Sequence, residues 1–88
     1  MPYKARFSRI FLKKYEKLPK DIKPRVIEAI KQILMNPHVG VPLIARALIG
    51  ALKGLWRARI GKYRLIYEIN EKEKIIVFYD VDLRKRVY

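Results

Sequence analysis

Three arginines, Arg57, Arg59 and Arg64, stand in the stretch LWRARIGKYRLIY, residues 55–67. Arginine suits phosphate: its planar guanidinium takes two phosphate oxygens at once and stays charged. It does not suit proton transfer, because the guanidinium pKa exceeds about 12. The set therefore fits charge stabilisation at a polyanion, and a general acid or base must come from elsewhere. Tyr88, Lys53, Lys62, Lys85 and the close pair Asp80 and Asp82 are the candidates. RNA asks for little else. Its 2′-OH is a nucleophile already in place, so a protein need only align it with the adjacent phosphorus and neutralise the pentacovalent phosphate; positioning and preorganised charge are large catalytic effects. The plainer alternative is a solvated basic face on a very basic chain.

The arginines need an element to hold them. Period-2 alternation runs on both sides of Gly61-Lys62, and a two-residue turn with glycine first signals a β-hairpin. A turn closed there sets Ile60 against Tyr63, Arg59 against Arg64, Ala58 against Leu65, Arg57 against Ile66 and Trp56 against Tyr67. One face then carries Trp56, Ala58, Ile60, Tyr63, Leu65 and Tyr67 and covers a core. The other carries the three arginines. Like charges directly opposite on a sheet are unfavourable, and an anion between them removes the penalty.

The rest of the chain supplies the layers. Tyr3 to Phe7 alternates like a short strand. Ser8 is placed to cap a helix over 8–18, with Phe11, Tyr15 and Leu18 inward and Lys13, Lys14 and Lys17 outward. Pro19 ends it. A second helix starts near Asp21, takes Pro24 in its first turn, buries Ile22, Val26, Ile30, Ile33 and Leu34, and stops at Asn36-Pro37. Residues 37–54 are punctuated by Pro and Gly around the apolar LIARALIGAL of 43–52, read as packing on the core. After the hairpin come a polar turn at 70–74, a strand over 74–81, and a basic end, RKRVY, read as a possible last strand. The expected fold is α+β: one domain over 1–88, an N-terminal strand and helical hairpin packed on a four- to five-stranded, mainly antiparallel sheet.

Composition excludes much. The chain has 88 residues and a formal charge of +13, from 21 Lys and Arg against 8 Asp and Glu. Such a surface attracts a polyanion, nucleic acid first and an acidic protein second. There is no cysteine, so disulfides, thiolate nucleophiles and Cys-type metal sites are out. Threonine is absent and Ser8 is the single serine, at a helix cap. His38 is the single histidine and reads as a surface residue of a loop. Asp80 and Asp82, two apart on a strand, share a face; they read as partners of nearby arginines rather than as a Mg2+ site. No nucleotide-binding glycine pattern occurs, so no cofactor and no metal are expected. Met1 is followed by PYKARFSR, with neither a signal region nor a membrane span, and a cytoplasmic protein is expected.

The segments LPKDIKPRVIEAIKQIL, LWRARIGKYRLIYEI and IIVFYDVDLRKRVY, with Leu48 and Gly50 between them, resemble the RelE/ParE superfamily of toxins from toxin–antitoxin modules. The hairpin carries the resemblance, with an aromatic, R-x-R, Gly and then YR-φ-φ-Y. The terminal basic-x-x-φ-Y adds to it. The resemblance spans nearly the whole chain and implies the fold expected above.

It also implies a function. RelE-type toxins cleave mRNA in the ribosomal A site; ParE-type toxins share the fold and poison DNA gyrase without cleaving RNA. By resemblance to RelE, the catalytic set is Arg57, Arg59, Arg64, Arg84 and Tyr88, with Lys53, Lys62, Lys85 and Arg86 as further RNA-binding cations. Relatives of the RelE type carry lysines where Arg57 and Arg59 stand, and many carry a histidine where Leu83 stands. The implied partners are an acidic, RelB-like antitoxin, the ribosome and mRNA, with no membrane. The expectation is a ribosome-dependent, metal-independent endoribonuclease. A non-catalytic gyrase inhibitor and an inactive basic RNA- or ribosome-binding module are the alternatives.

Overall fold

A computed structural model describes residues 3–42 and 54–83, with Val41 and Pro42 as backbone alone. The first strand, β1 (Lys4–Phe7), lies parallel to the last, β5 (Ile75–Leu83), in the register Lys4 to Ile75 through Phe7 to Phe78. Ser8 then breaks the strand and starts α1 (Arg9–Glu16). Its backbone N–H donates to the Phe78 carbonyl at 3.0 Å and its hydroxyl to the Tyr79 carbonyl at 2.6 Å. The same hydroxyl accepts from the Phe11 N–H at 2.9 Å, the N-cap bond expected of it.

Helix α1 is shorter than its apolar spacing predicts. It stops at Glu16, and the N–H groups of Lys17 and Leu18 bond back three residues to Lys14 and Tyr15. This tightened last turn delivers Leu18 to the core just before Pro19. The second helix, α2 (Lys23–Met35), begins two residues later than expected, with Pro24 in the first turn where a missing N–H costs nothing. Asp21 stays in the turn outside it, and the N-cap, Ile22, makes no side-chain cap bond. Asn36 ends α2, and its side chain accepts from the His38 N–H at 3.3 Å, shaping a 3-10 turn at Pro37–Val39.

Strands β2 (Val41–Pro42), β3 (Leu55–Ile60) and β4 (Tyr63–Asn70) complete a five-stranded sheet in the order β1-β5-β4-β3-β2, antiparallel except for β1 with β5. One face of the sheet packs on the helices. Phe11, Leu18, Ile22, Val26, Ile30 and Ile33 meet Ile60, Leu65, Tyr67, Ile76, Phe78 and Val81 there. Phe7, Phe11 and Phe78 stack with ring centroids 5.3 Å and 5.4 Å apart, joining β1, α1 and β5. Among the described residues no helix is long and apolar enough to cross a membrane. The apolar segment 43–52 and the end 84–88, each assigned a place above, lie outside the described residues.

Candidate functional site

The hairpin closes where the alternation predicts. Gly61 takes the left-handed conformation, φ 59°, at the first turn position, which glycine adopts without strain. The register that follows pairs Ile60 with Tyr63, Arg59 with Arg64, Ala58 with Leu65, Arg57 with Ile66 and Trp56 with Tyr67. Ile60, Leu65 and Tyr67 are buried in the core, and Trp56, Ala58 and Tyr63 are partly buried against it. Arg57, Arg59 and Arg64 therefore share the opposite face.

That face is not wholly polar. Ile66 stands on it between Arg57 and Asp80 and is buried, with Leu55 packed beside it.

The core side fixes the same strands. Tyr67 is fully buried, and its hydroxyl donates to the Pro37 carbonyl at 2.7 Å, tying β4 to the turn after α2. Burial pushes the Tyr67 phenol up to about 12, against a smaller opposing pull from a Gly40 backbone bond. Gly40 is glycine because of proximity rather than conformation: a Cβ there would collide with the Tyr67 hydroxyl and the Arg57 carbonyl. His38 is exposed, as expected, edge-on to Trp56 at 5.1 Å and with Nε2 3.5 Å from Glu71.

A β-bulge decides where the aspartates go. The ladder between β4 and β5 shifts between Ile66 and Tyr67, so that Ile66 pairs with Asp80 and Tyr67 with Phe78, leaving Tyr79 as the extra residue. Phe78 and Val81 consequently both face the core, and Asp80 and Asp82 both face the arginines. Asp82 is directly opposite Arg64. The cation that reaches both carboxylates is Lys14 of α1, with Nζ 3.0 Å from Asp80 and 3.0 Å from Asp82. Partial burial pulls the Lys14 ammonium down, but hydrogen bonds and charge from the two aspartates outweigh it, leaving it above the ordinary lysine value. Lys14, read from the sequence as an outward-facing lysine, is thus the residue sequence reasoning missed. The one available signal was an Asp-x-Asp strand that needs a cation beside it.

The described residues bring together Arg57, Arg59 and Arg64. Lys62 sits apart, exposed at the hairpin tip. Lys53, Arg84, Lys85, Arg86 and Tyr88 lie outside the described residues. Beside Arg57 and Arg59, an open groove of about 290 Å3 runs between β3 and α2, with Ala29, Gln32 and Ile33 on its helical wall. No group of three or more His, Asp or Glu side chains able to hold a metal occurs among the described residues. Chemically, the arrangement is a cationic platform suited to gripping phosphates.

Known proteins resemble the chain in sequence and in fold. The ParE toxin family of type II toxin–antitoxin systems, parDE, matches residues 5–88. Toxin RelG of Mycobacterium tuberculosis is 33% identical over 89 residues, covering 100% of this chain and 98% of that protein. The toxin–antitoxin complex RelBE2 of the same organism contains a chain that superposes with a TM-score of 0.78 at 35% identity, covering 96% of this chain and 100% of that one. In the archaeal RelE–RelB complex from Pyrococcus horikoshii the similar chain has a TM-score of 0.71 at 28% identity, with 99% and 100% covered.

Proposed function

Because the chain belongs to the ParE toxin family of type II toxin–antitoxin systems, within the RelE/ParE superfamily, we propose that this toxin is a RelE-like endoribonuclease that cuts mRNA on translating ribosomes. The observation that carries the reading is the shared face of Arg57, Arg59 and Arg64, with Arg59 and Arg64 directly opposite each other. A scissile phosphate between them relieves their repulsion and gains from it. The 2′-OH of one nucleotide attacks its own 3′-phosphorus, the pentacovalent phosphate forms, and the 5′-oxygen of the next nucleotide leaves, taking a proton from solvent. The products are a 2′,3′-cyclic phosphate and a 5′-hydroxyl. Arg57, Arg59 and Arg64 hold the phosphate oxygens as charge builds. Arg84 neutralises the leaving side, and Tyr88 orients the base or accepts the 2′-OH proton. Lys53, Lys62, Lys85 and Arg86 bind the flanking RNA, and no metal takes part.

The partner proposed is an acidic, RelB-like antitoxin. A chain of charge +13 attracts such a protein, and two of the similar chains come from complexes of toxin with antitoxin. The action is placed in the cytoplasm, where ribosomes and mRNA are.

A second reading has one observation in its favour: the matching family is described by ParE, and ParE-type toxins act on DNA gyrase. Primer extension on an mRNA translated in a cell-free system separates the two. Cuts at in-frame codons that need ribosomes and vanish with Arg64→Ala support the nuclease. Intact mRNA at protein concentrations that stop growth, with DNA-damage signs in cells, supports the gyrase reading and reduces the arginine face to a docking surface.

A further inference from the structure

Two of the chain's eight acidic residues, Asp80 and Asp82, stand on the face proposed to hold phosphate. Carboxylates there repel RNA, so their presence asks for a physical reason. Asp82 is held from two sides. Its Oδ1 accepts from the Leu83 N–H at 2.8 Å, and its Oδ2 accepts from Lys14 Nζ at 3.0 Å. With both oxygens engaged, the carboxylate is restrained from turning. An ionised carboxylate offers about four acceptor sites, so acceptor capacity remains toward the third neighbour, and that neighbour in the ladder is Arg64. Neither Arg64 nor Asp82 is without a partner.

Across the sheet the order is Arg59 on β3, Arg64 on β4, Asp82 on β5 and Lys14 beyond, from α1. Arg64 thus has a like charge on one side and an opposite charge on the other. Repulsion from Arg59 alone would drive its guanidinium off the face. The fixed carboxylate supplies the restoring pull, and the Lys14 ammonium offsets part of the negative charge of the aspartate pair. Asp80, salt-bridged to the same ammonium at 3.0 Å, fixes Lys14 in turn.

We propose that Lys14 is a positioning residue of the active site, acting through Asp82 to hold the Arg64 guanidinium where it meets the scissile phosphate. The inference rests on the ribonuclease reading for the phosphate, but not for the Arg64 geometry. The competing role is a plain staple between α1 and β5.

The test compares wild type, Lys14→Met, Lys14→Arg and Asp82→Asn. Single-turnover cleavage of ribosome-bound mRNA is measured at several toxin concentrations. In parallel, hydrogen exchange of the Arg64 Nε–H is followed by 15N NMR on the free proteins. Expected are a roughly 10-fold slower maximal cleavage rate in Lys14→Met with half-saturation changed less than about twofold, a proportion typical of lost orientation. Lys14→Arg should recover most of the rate. In an Arg64→Ala background, Lys14→Met should slow cleavage no further, as for residues acting as one unit. The Arg64 Nε–H should exchange several-fold faster in Lys14→Met and Asp82→Asn than in wild type, both measured well below their melting temperatures. Wild-type cleavage rates and unchanged Arg64 exchange in Lys14→Met, with only a lower melting temperature, would overturn the proposal in favour of the staple. If wild type cleaves nothing, the ribonuclease reading falls, and the exchange data still decide whether Lys14 positions Arg64.

Discussion

Arg59 and Arg64 face each other across the β3–β4 ladder, on the side of the sheet away from the core. The pairing is forced. Gly61 closes a two-residue turn, and the register of a tight hairpin follows from its turn. A slip of β4 by one residue against β3 would turn Arg64 into the core and Leu65 and Tyr67 toward water. Core burial therefore holds the two guanidiniums together at a local electrostatic cost of a few tenths to about 1 kcal/mol, and an anion bound between them recovers it.

Replacing Arg64 with alanine removes one charge from the transition state. Loss of one preorganised donor slows comparable reactions by about 10^2 to 10^3, and that loss is expected in single-turnover cleavage. Folding should be little affected, because Arg64 projects away from the core and its removal relieves Arg59. A melting temperature within a few degrees of wild type would agree. An unfolded variant would show that the guanidinium is part of the packing instead.

Stability should fall in alkali because of Tyr67. Below pH 10 its phenol is protonated in both the folded and the unfolded chain, and its contribution is complete. From pH 10 the unfolded chain releases the proton, while burial holds it in the folded protein up to about 12. Over that window the loss amounts to roughly 2–3 kcal/mol. Lys14 acts in the same direction: its ammonium, raised by the two aspartates against the effect of burial, contributes fully below the ordinary lysine value and is lost as pH rises through its folded value. Urea unfolding at pH 9, 10, 11 and 12 should show the decline. Tyr67→Phe should flatten it without abolishing it, and should cost about 1–2 kcal/mol at neutral pH by leaving the Pro37 carbonyl without its donor.

Gly40→Ala should destabilise by about 1–3 kcal/mol, the usual range for overpacking. The added methyl meets the Tyr67 hydroxyl and, at 2.6 Å, the Arg57 carbonyl. Removing the hydroxyl as well clears only the first of these. The double variant Gly40→Ala, Tyr67→Phe should therefore lose less than the two single changes summed, yet remain below Tyr67→Phe alone. Simple additivity in thermal unfolding would mean that the backbone at Gly40 moves aside.

The site was legible where it depends on local periodicity. The positions of Gly61, Trp56 and Tyr67 were enough to set both faces of the hairpin and the Arg59–Arg64 pair, and Ser8 marked the start of the first helix. The late start of α2 was less legible: Asp21 looks like a cap, but the chain satisfies the turn instead through the Ile22 and Lys23 N–H groups, which donate to the Pro19 carbonyl. The aspartates were legible only as a pair. Strict alternation through β5 would set Asp80 and Asp82 beside Phe78, and the bulge at Tyr79 that turns them to the arginine face has no marker such as glycine. Lys14 is invisible for a further reason. Its partners lie 66 and 68 positions away, and no helical periodicity distinguishes it from Lys13 or Lys17.

Ser8 offers a way to separate a helix cap from a strand link. Its hydroxyl accepts from Phe11 and donates to Tyr79 on β5, so it joins α1 to the sheet at the point where β1 ends. Ser8→Ala removes both bonds, and loss of an N-cap alone costs about 1 kcal/mol, which lowers the melting temperature of a domain this size by roughly 4–8 °C. Ser8→Asp keeps a good cap acceptor but has no proton to give the Tyr79 carbonyl, and it turns a negative charge toward that oxygen. Aspartate should therefore restore only part of the loss. Full recovery by aspartate in thermal unfolding would mean that the cap alone matters and that the bond to Tyr79 contributes nothing measurable.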